Sequence, residues 1–422
     1  MGAALACLAL PALAQNLPRT PTYGTVEGQP IDSREPEKKG NQPVFPQQTR
    51  APYHKTVPFN VTVLADNLYA PWGMAFLPGG DILVTERLPG HFRIVGKNGG
   101  ASAPLEGLPK LVDTDMMGLL DVALDPKFAT SHRIFFTFFS YDERTIGATS
   151  VASARLEGNR LSDVKVILRT APLIPNDQTI GAGTKTGGRI AFGKDGYLYV
   201  TVGDRDNAGN KPWGVAQVLD THLGKILRIT TDGKAAPGNP FIGKPGALPE
   251  IWAIGFRSPE GLAFHPATGK LYETEHGPRG GDEFNEIKKG GNYGWPLISH
   301  GIDYAGKVIG NGSSTKEGTE QPVYYWSPST APSGLAFYQG TLFPDWKDSV
   351  FVGMLNGRQL DRFKFVDGKV VQEEALLTDM KERFRDVRVG PDGAVYVLTD
   401  SGGTIATPDT PATTKLLKLT PK

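Results

Sequence analysis

The chain predicts an all-β fold, a six-bladed β-propeller. Two observations carry that expectation: a short apolar phrase that recurs six times, and an excess of turn-forming residues, 52 glycines and 34 prolines in 422 residues. The first copy, Gly73–Pro78, meets a turn and leaves through Ile82–Glu86. The second is Leu120–Pro126; the third, Gly188–Gly193, leaves through Leu198–Thr201. The fourth, Gly261–Pro266, runs on to Leu271–Glu275; the fifth is Gly334–Phe337; the sixth, Val387–Pro391, continues as Val395–Thr399. No single strand-turn-strand copy can bury its own apolar face, so the copies must stack radially. The glycines and prolines supply the positive or fixed φ that many tight hairpins need.

Because the copies span nearly everything from residue 57 onward, residues 57–422 read as one closed domain. Residues 1–14 end in the small-residue triplet Ala12-Leu13-Ala14 and read as a signal peptide without a basic start. Residues 15–56, rich in Pro, Gln, Lys and Glu, read as a mobile leader. This organisation implies a periplasmic or secreted protein with no transmembrane span. The one cysteine, Cys7, excludes a disulfide framework and a thiolate metal site. Lys plus Arg number 45 and Asp plus Glu 44, so the net charge of +1 speaks against a nucleic-acid partner.

In a propeller the chemistry belongs to loops around the central channel. Four stand out. The densest runs from Glu275 to Glu286 and on to Pro296, and its acids and Gly/Pro backbone suit a hard cation such as calcium, with a solvated acidic turn as the alternative. Thr184–Arg189 leads toward Gly203-Asp204-Arg205-Asp206; Arg189 there serves either as a tie between blades or as a ligand contact. Ile254–Gly261 carries Arg257. In Arg383-Phe384-Arg385-Asp386, alternation in an extended segment puts two guanidiniums on one side, which calls for anions nearby.

These phrases resemble the soluble, pyrroloquinoline quinone (PQQ)-dependent sugar dehydrogenases, the glucose and sorbosone dehydrogenase family. The resemblance rests on Ala70–Phe76, Val84–Arg87, Gly118–Ala123, Gly187–Phe192, Leu223–Arg228, Gly255–Leu262, the Glu275–Pro296 loop, Arg383–Val387 and Gly390–Gly393. It implies a calcium-activated PQQ enzyme that oxidises the anomeric hydroxyl of an aldose or a related alcohol and passes electrons to an acceptor. Arg383, Arg385, Arg257, Asn356, Ser329 and His276 are thereby implied to contact PQQ. The carbonyls of Gly277 and Pro278 are implied to bind its calcium, and Glu283 and Tyr293 a structural one. Lys185, Asp204 and Arg257 form the implied catalytic set, Asp204 orienting the base.

At four positions the chain departs from that family. The catalytic histidine is Lys185, and Met116, Asn356 and Ser258 stand where the family has glutamine, lysine and asparagine. A lysine acts as a base only where burial and neighbouring cations hold it neutral. His276 and His300 are loop histidines able to stand in. The substitutions motivate a second expectation, a calcium-binding propeller that recognises a glycan or partner without turnover. A third, a calcium-dependent lactonase on a similar scaffold, lacks the family phrases.

Overall fold

In the computed structural model, residues 23–87, 90–109, 118–141, 146–172, 174–175, 185–205, 214–400 and 413–422 are described. The expected signal peptide, the start of the leader, Met116, Thr184 and Asp206 lie outside them. Six antiparallel sheets form the six blades. The first comprises Pro71–Phe76, Ile82–Glu86 and His91–Val95; the second Leu119–Leu124, Arg133–Tyr141, Ile146–Glu157 and Arg160–Arg169, with Ile174–Pro175 beside it. The third comprises Gly187–Phe192, Leu198–Val202, Lys225–Ile229 and Ile251–Ile254; the fourth Pro259–Phe264, Leu271–Glu275, Asp282–Ile287 and Tyr324–Trp326. The fifth comprises Pro332–Tyr338, Ser349–Met354, Leu360–Val366 and Lys369–Leu376.

The sixth blade closes the ring. Arg383–Val389, Val395–Asp400 and Thr414–Pro421 are joined by Phe59–Leu68 from the other end of the chain, with Val61 opposite Leu419 and Val63 opposite Leu417. Each recurring phrase overlaps an innermost strand, and these six strands touch one another in ring order. Apolar side chains fill the wedges between neighbours: Leu83 and Phe92 meet Phe136 between the first two blades, and Phe284 and Trp326 meet Phe337 and Val352 between the fourth and fifth. Threonine hydroxyls near the axis bind the adjoining blade, Thr201 Oγ1 donating to Pro259 O at 3.1 Å and Thr274 Oγ1 to Ser333 O at 2.7 Å.

Arg189 is the tie at the axis. It is wholly buried, its Nε donates to Glu260 O (2.6 Å) and Nη2 to Arg385 O (2.8 Å), and Nη1 faces Asp386 (3.0 Å) and Asp121 (3.6 Å). Its guanidinium lies 4.0 Å from the Trp72 ring centroid. Of the two roles read for Arg189, the geometry is that of the stitch. Space is short here: a Cβ at Gly73 or Gly334 would overlap the carboxylate of Asp121 or Asp386, so only glycine fits.

Residues 23–56, expected as a mobile leader, are from Tyr23 onward fastened across the fourth and fifth blades. Ile31, Ala51 and Tyr53 are buried, Gln48 donates to Pro322 O (3.1 Å), Lys38 to Ser299 O (2.6 Å), and Arg50 to Ser327 O (3.2 Å). The polar composition that reads as solvated disorder instead supplies side-chain bonds to blade backbone. This segment is a strap.

Candidate active site

The loops at one mouth of the channel build a cleft in two joined parts. Where the third blade hands over to the fourth, Phe256 turns into the core and stacks on Tyr293 (4.7 Å, 21°), which sends Arg257 the other way, into the cleft. The Asp204 N–H donates to Arg257 O (2.8 Å), and Trp295 Nε1 donates to the Asp204 carboxylate (2.7 Å). Lys185 precedes the inner strand of the third blade with φ 54°, packed so closely on Gly203 that a Cβ there would overlap its carbonyl. Lys185, Asp204 and Arg257 thus come together, lining the smaller, 80 Å³ part of the cleft with Pro278, Trp295 and Tyr304.

The larger part, 660 Å³, is shared through Pro278 and Tyr304 and adds His276, Gly277, Arg279, Ser329 and Asn356. That size suits a small-molecule ligand. Arg257 Nη1 donates to the carbonyls of His276 (2.9 Å) and Gly277 (2.8 Å), and Nη2 to Tyr304 Oη (3.3 Å). Asp282 organises the turn, accepting from Gly277 N (2.8 Å), Ser329 Oγ (2.6 Å), Thr330 N (2.8 Å) and Ala331 N (2.7 Å); burial nonetheless lifts its carboxyl to about 6. Asn356 Nδ2 donates to Ser329 O at 3.4 Å. Burial, with Arg385, Arg257 and Arg383 adding to it, holds His276 down at about 3, and its Nε2 is buried without a partner. The imidazole is neutral, with an unused acceptor.

Arg383 and Arg385 share one side of their strand as the alternation predicted, because both reach Asp400: Arg383 Nε at 3.2 Å and Arg385 Nη2 at 2.8 Å. Arg385 also pairs with Glu260 (3.3 Å). A third guanidinium, Arg87, was not singled out in the sequence. It feels the field of Arg385, Asp400, Glu260 and Arg383, burial pushes its pKa down, and its Nε is buried without a partner. Three guanidiniums against two carboxylates leave excess positive charge beside His276. A buried donor without a partner has room for an acceptor, and an anion is one group able to supply it.

The acidic stretch differs from the long irregular loop expected. Only residues 276–281 are loop; Asp282–Ile287 pairs with Leu271–Glu275, setting Glu275 opposite Glu283 and Glu273 opposite Asn285. The Gly/Pro turn is tight enough for a hairpin, so the acids lie in a ladder and not on a free loop. Glu273 and Glu275 are buried with Glu283 half-buried beside them, and desolvation holds all three above the usual carboxylate range, with repulsion from Glu275 adding to it at Glu273 and Glu283 and from Asp204 at Glu275. Glu273 Oε1 and Asn285 Oδ1 have no partner. The Tyr293 hydroxyl is committed to Glu286 O (2.5 Å) and Lys288 N (2.8 Å), leaving its backbone carbonyl as the donor it can offer a cation. Among the described residues no three His, Cys, Asp or Glu side chains converge in ligand geometry, so a cation here relies on carbonyl oxygens. His300 stacks on Tyr325 (4.0 Å) and receives Asn41 Nδ2 at Nδ1 (3.2 Å), and it is not among the residues lining either part of the cleft.

Fold and site together define a six-bladed propeller with a cleft at one mouth; Arg87, Arg383 and Arg385 cluster near His276 but are not among the residues lining either part of it. The chain belongs to the glucose/sorbosone dehydrogenase family, whose model matches residues 68–407. It is 40% identical over 344 residues to aldose sugar dehydrogenase YliI of Escherichia coli, covering 81% of this chain and 90% of that protein. It is 28% identical over 443 residues to quinoprotein glucose dehydrogenase B of Acinetobacter calcoaceticus, covering 86% and 90%. Among solved structures, the apo-form of the soluble E. coli aldose sugar dehydrogenase superposes with a TM-score of 0.78 at 39% identity, covering 86% of this chain and all of that one. The PQQ-bound aldose sugar dehydrogenase of Streptomyces coelicolor gives 0.68 at 29% identity, covering 87% and 99%.

Proposed function

We propose that this protein is a PQQ-dependent, calcium-activated dehydrogenase acting on the anomeric hydroxyl of an aldose or a related alcohol. The observation that carries the reading is the guanidinium cluster of Arg87, Arg383 and Arg385 near His276, which lines the 660 Å³ part of the cleft, while Arg257 lines the smaller part that adjoins it. PQQ bears three carboxylates, and its carboxylates fit that charge, the orphaned Arg87 Nε included. Ser329, Asn356 and His276 would border it, and the Gly277 and Pro278 carbonyls would hold calcium, Gly277 O having a second lone pair beyond the one Arg257 uses. Glu283 and the Tyr293 carbonyl would hold a structural calcium. Bound PQQ supplies a two-electron acceptor, and calcium a Lewis acid that polarises it.

The chain's own residues do the positioning and the proton work. Arg257, fixed by two carbonyls and Tyr304, presents positive charge where a substrate oxygen becomes negative. Tyr304 and Trp295 offer flat faces for a sugar ring. Asp204, held by Trp295, orients the group at position 185. Lys185 Nζ, when deprotonated, or a water in its place, takes the hydroxyl proton. The apolar opening segment and the family support export to the periplasm, and no described helix is long and apolar enough to cross a membrane.

The test is reconstitution of the full chain with PQQ and calcium, then dye reduction against a panel of aldoses; an unchanged PQQ absorption spectrum on mixing refutes the reading. Lys185 favours one alternative, a propeller that binds a glycan without turnover. Lys185→His separates the two: a rise in turnover of about 10²-fold, the usual contribution of a positioned base, supports the enzyme, and sugar binding that stays silent in both forms supports the binder.

A further inference from the structure

The strap that precedes the family-matched region sends one acidic side chain into the cleft. The strap lies ahead of the family match, which begins at residue 68. Most of its polar side chains point into the blades: Lys38 to Ser299 O, Asn41 to His300, Gln48 to Pro322 O, Arg50 to Ser327 O. Glu37 differs. It lines the 660 Å³ part of the cleft with Arg279, Ser329 and Asn356, accepting one bond, from Ser327 Oγ at 3.2 Å. Its carboxylate lies against Gly280 of the 276–281 turn, where a Cβ would come within 2.7 Å of Glu37 Oε2. Lys38 anchors the strap just after Glu37 through Ser299 O, and Arg50, fixed on Ser327 O, donates to Asp32 O (2.9 Å) just before it, so Glu37 is held at the cleft wall by its neighbours.

We propose that the strap is part of the ligand site and that Glu37 is a substrate-selecting residue. Its carboxylate, an acceptor with several unfilled lone-pair sites, takes hydrogen bonds from hydroxyls of a neutral sugar and repels sugars carrying a carboxylate or phosphate. This rests on the sugar-dehydrogenase reading above, and it adds the charge class of the substrate.

The experiment compares wild type with Glu37→Gln and Glu37→Ala, each as the full PQQ- and calcium-loaded chain, on a neutral aldose and the matching uronic acid. A parallel arm measures binding of the same two sugars to the PQQ-free chain by tryptophan fluorescence. Glu37→Gln keeps the shape and the Ser327 contact, so its melting temperature should match wild type. The expected result is a rise of about tenfold in the uronate-to-aldose ratio, in kcat/KM and in affinity, the size of one charged hydrogen bond lost and one repulsion relieved. An unchanged ratio in both arms overturns the inference while leaving the dehydrogenase reading intact. Sugar binding without turnover in wild type overturns that reading alone, and the binding ratio still decides the role of Glu37. Neither turnover nor binding of either sugar overturns both.

Discussion

Replacing Arg189 by Met tests whether the propeller is tied at its axis. The substitution keeps length and apolar bulk but removes the charge that faces Asp386 at 3.0 Å and the donors to Glu260 O and Arg385 O. Breaking a buried pair by deleting one partner costs roughly 3–5 kcal/mol, because the remaining charge is stranded in a low-dielectric site. Arg388 bounds that loss, since it also reaches Asp386 (3.1 Å) and Asp121 (3.2 Å). The cost should therefore fall near the lower end, about 3 kcal/mol, which lowers the melting temperature by roughly 4 °C in a propeller of this size. Thermal unfolding followed by circular dichroism at neutral pH reads it. Raising the salt to about 0.5 M should leave the difference in place, because a buried pair is little screened. Arg189→Lys should recover part of the loss at most, since an ammonium cannot fork toward several blades at once. A change below about 1 kcal/mol, or a loss that salt erases, refutes the axial tie. Normal stability with a selective loss of PQQ affinity would restore the ligand-contact role.

Two further outcomes follow from the titratable groups. Burial holds His300 at about 3 against an ordinary 6.5, so its neutral form favours the fold; that stability is complete above pH 6.5 and is lost as pH falls toward 3, at about 1.4 kcal/mol per pH unit. His300→Gln should accordingly flatten the acid limb of a melting-temperature profile relative to wild type, and parallel profiles would contradict the burial of a neutral ring. The Glu273, Glu275 and Glu283 cluster has the opposite sign: its raised values disfavour the fold as pH climbs above the ordinary 4.5. A chelator should therefore lower the melting temperature more at pH 8 than at pH 5, with calcium restoring it; no chelator effect at either pH argues against a cation at Glu283 and the Tyr293 carbonyl.

The blades were legible because their signal is local. An apolar phrase, a turn and a β-rich phrase lie within about twenty residues, and each of the six apolar phrases overlaps an innermost strand. Arg383 and Arg385 were legible for the same reason, since alternation along one strand fixes their side. What stayed hidden depends on partners far away in sequence. Arg189 binds the carbonyl of Arg385, 196 positions on, and nothing near a Gly-Gly-Arg phrase distinguishes an axial tie from a loop cation. Arg87 looks like the end of a strand until Asp400 and Glu260 arrive beside it. The strap misled most, because Pro, Gln, Lys and Glu read as solvation when their partners, such as Ser299 O, lie 261 positions away.

That division bears on how the site works. The propeller delivers loops to one mouth with little freedom, so the few groups that set selectivity need not come from blade repeats at all. In this chain the inner strands hold Arg385, the blade junction holds Arg257, and a segment outside the repeats holds Glu37. The guanidinium cluster proposed to meet PQQ is thus built into the ring itself, where Asp400 and Glu260 fix two of its members. The anionic wall is instead carried on a strap that can change without disturbing any blade. Selection by substrate charge can then vary without change in any blade: substitutions at Glu37 should move the sugar preference, read as the uronate-to-aldose ratio at saturating PQQ.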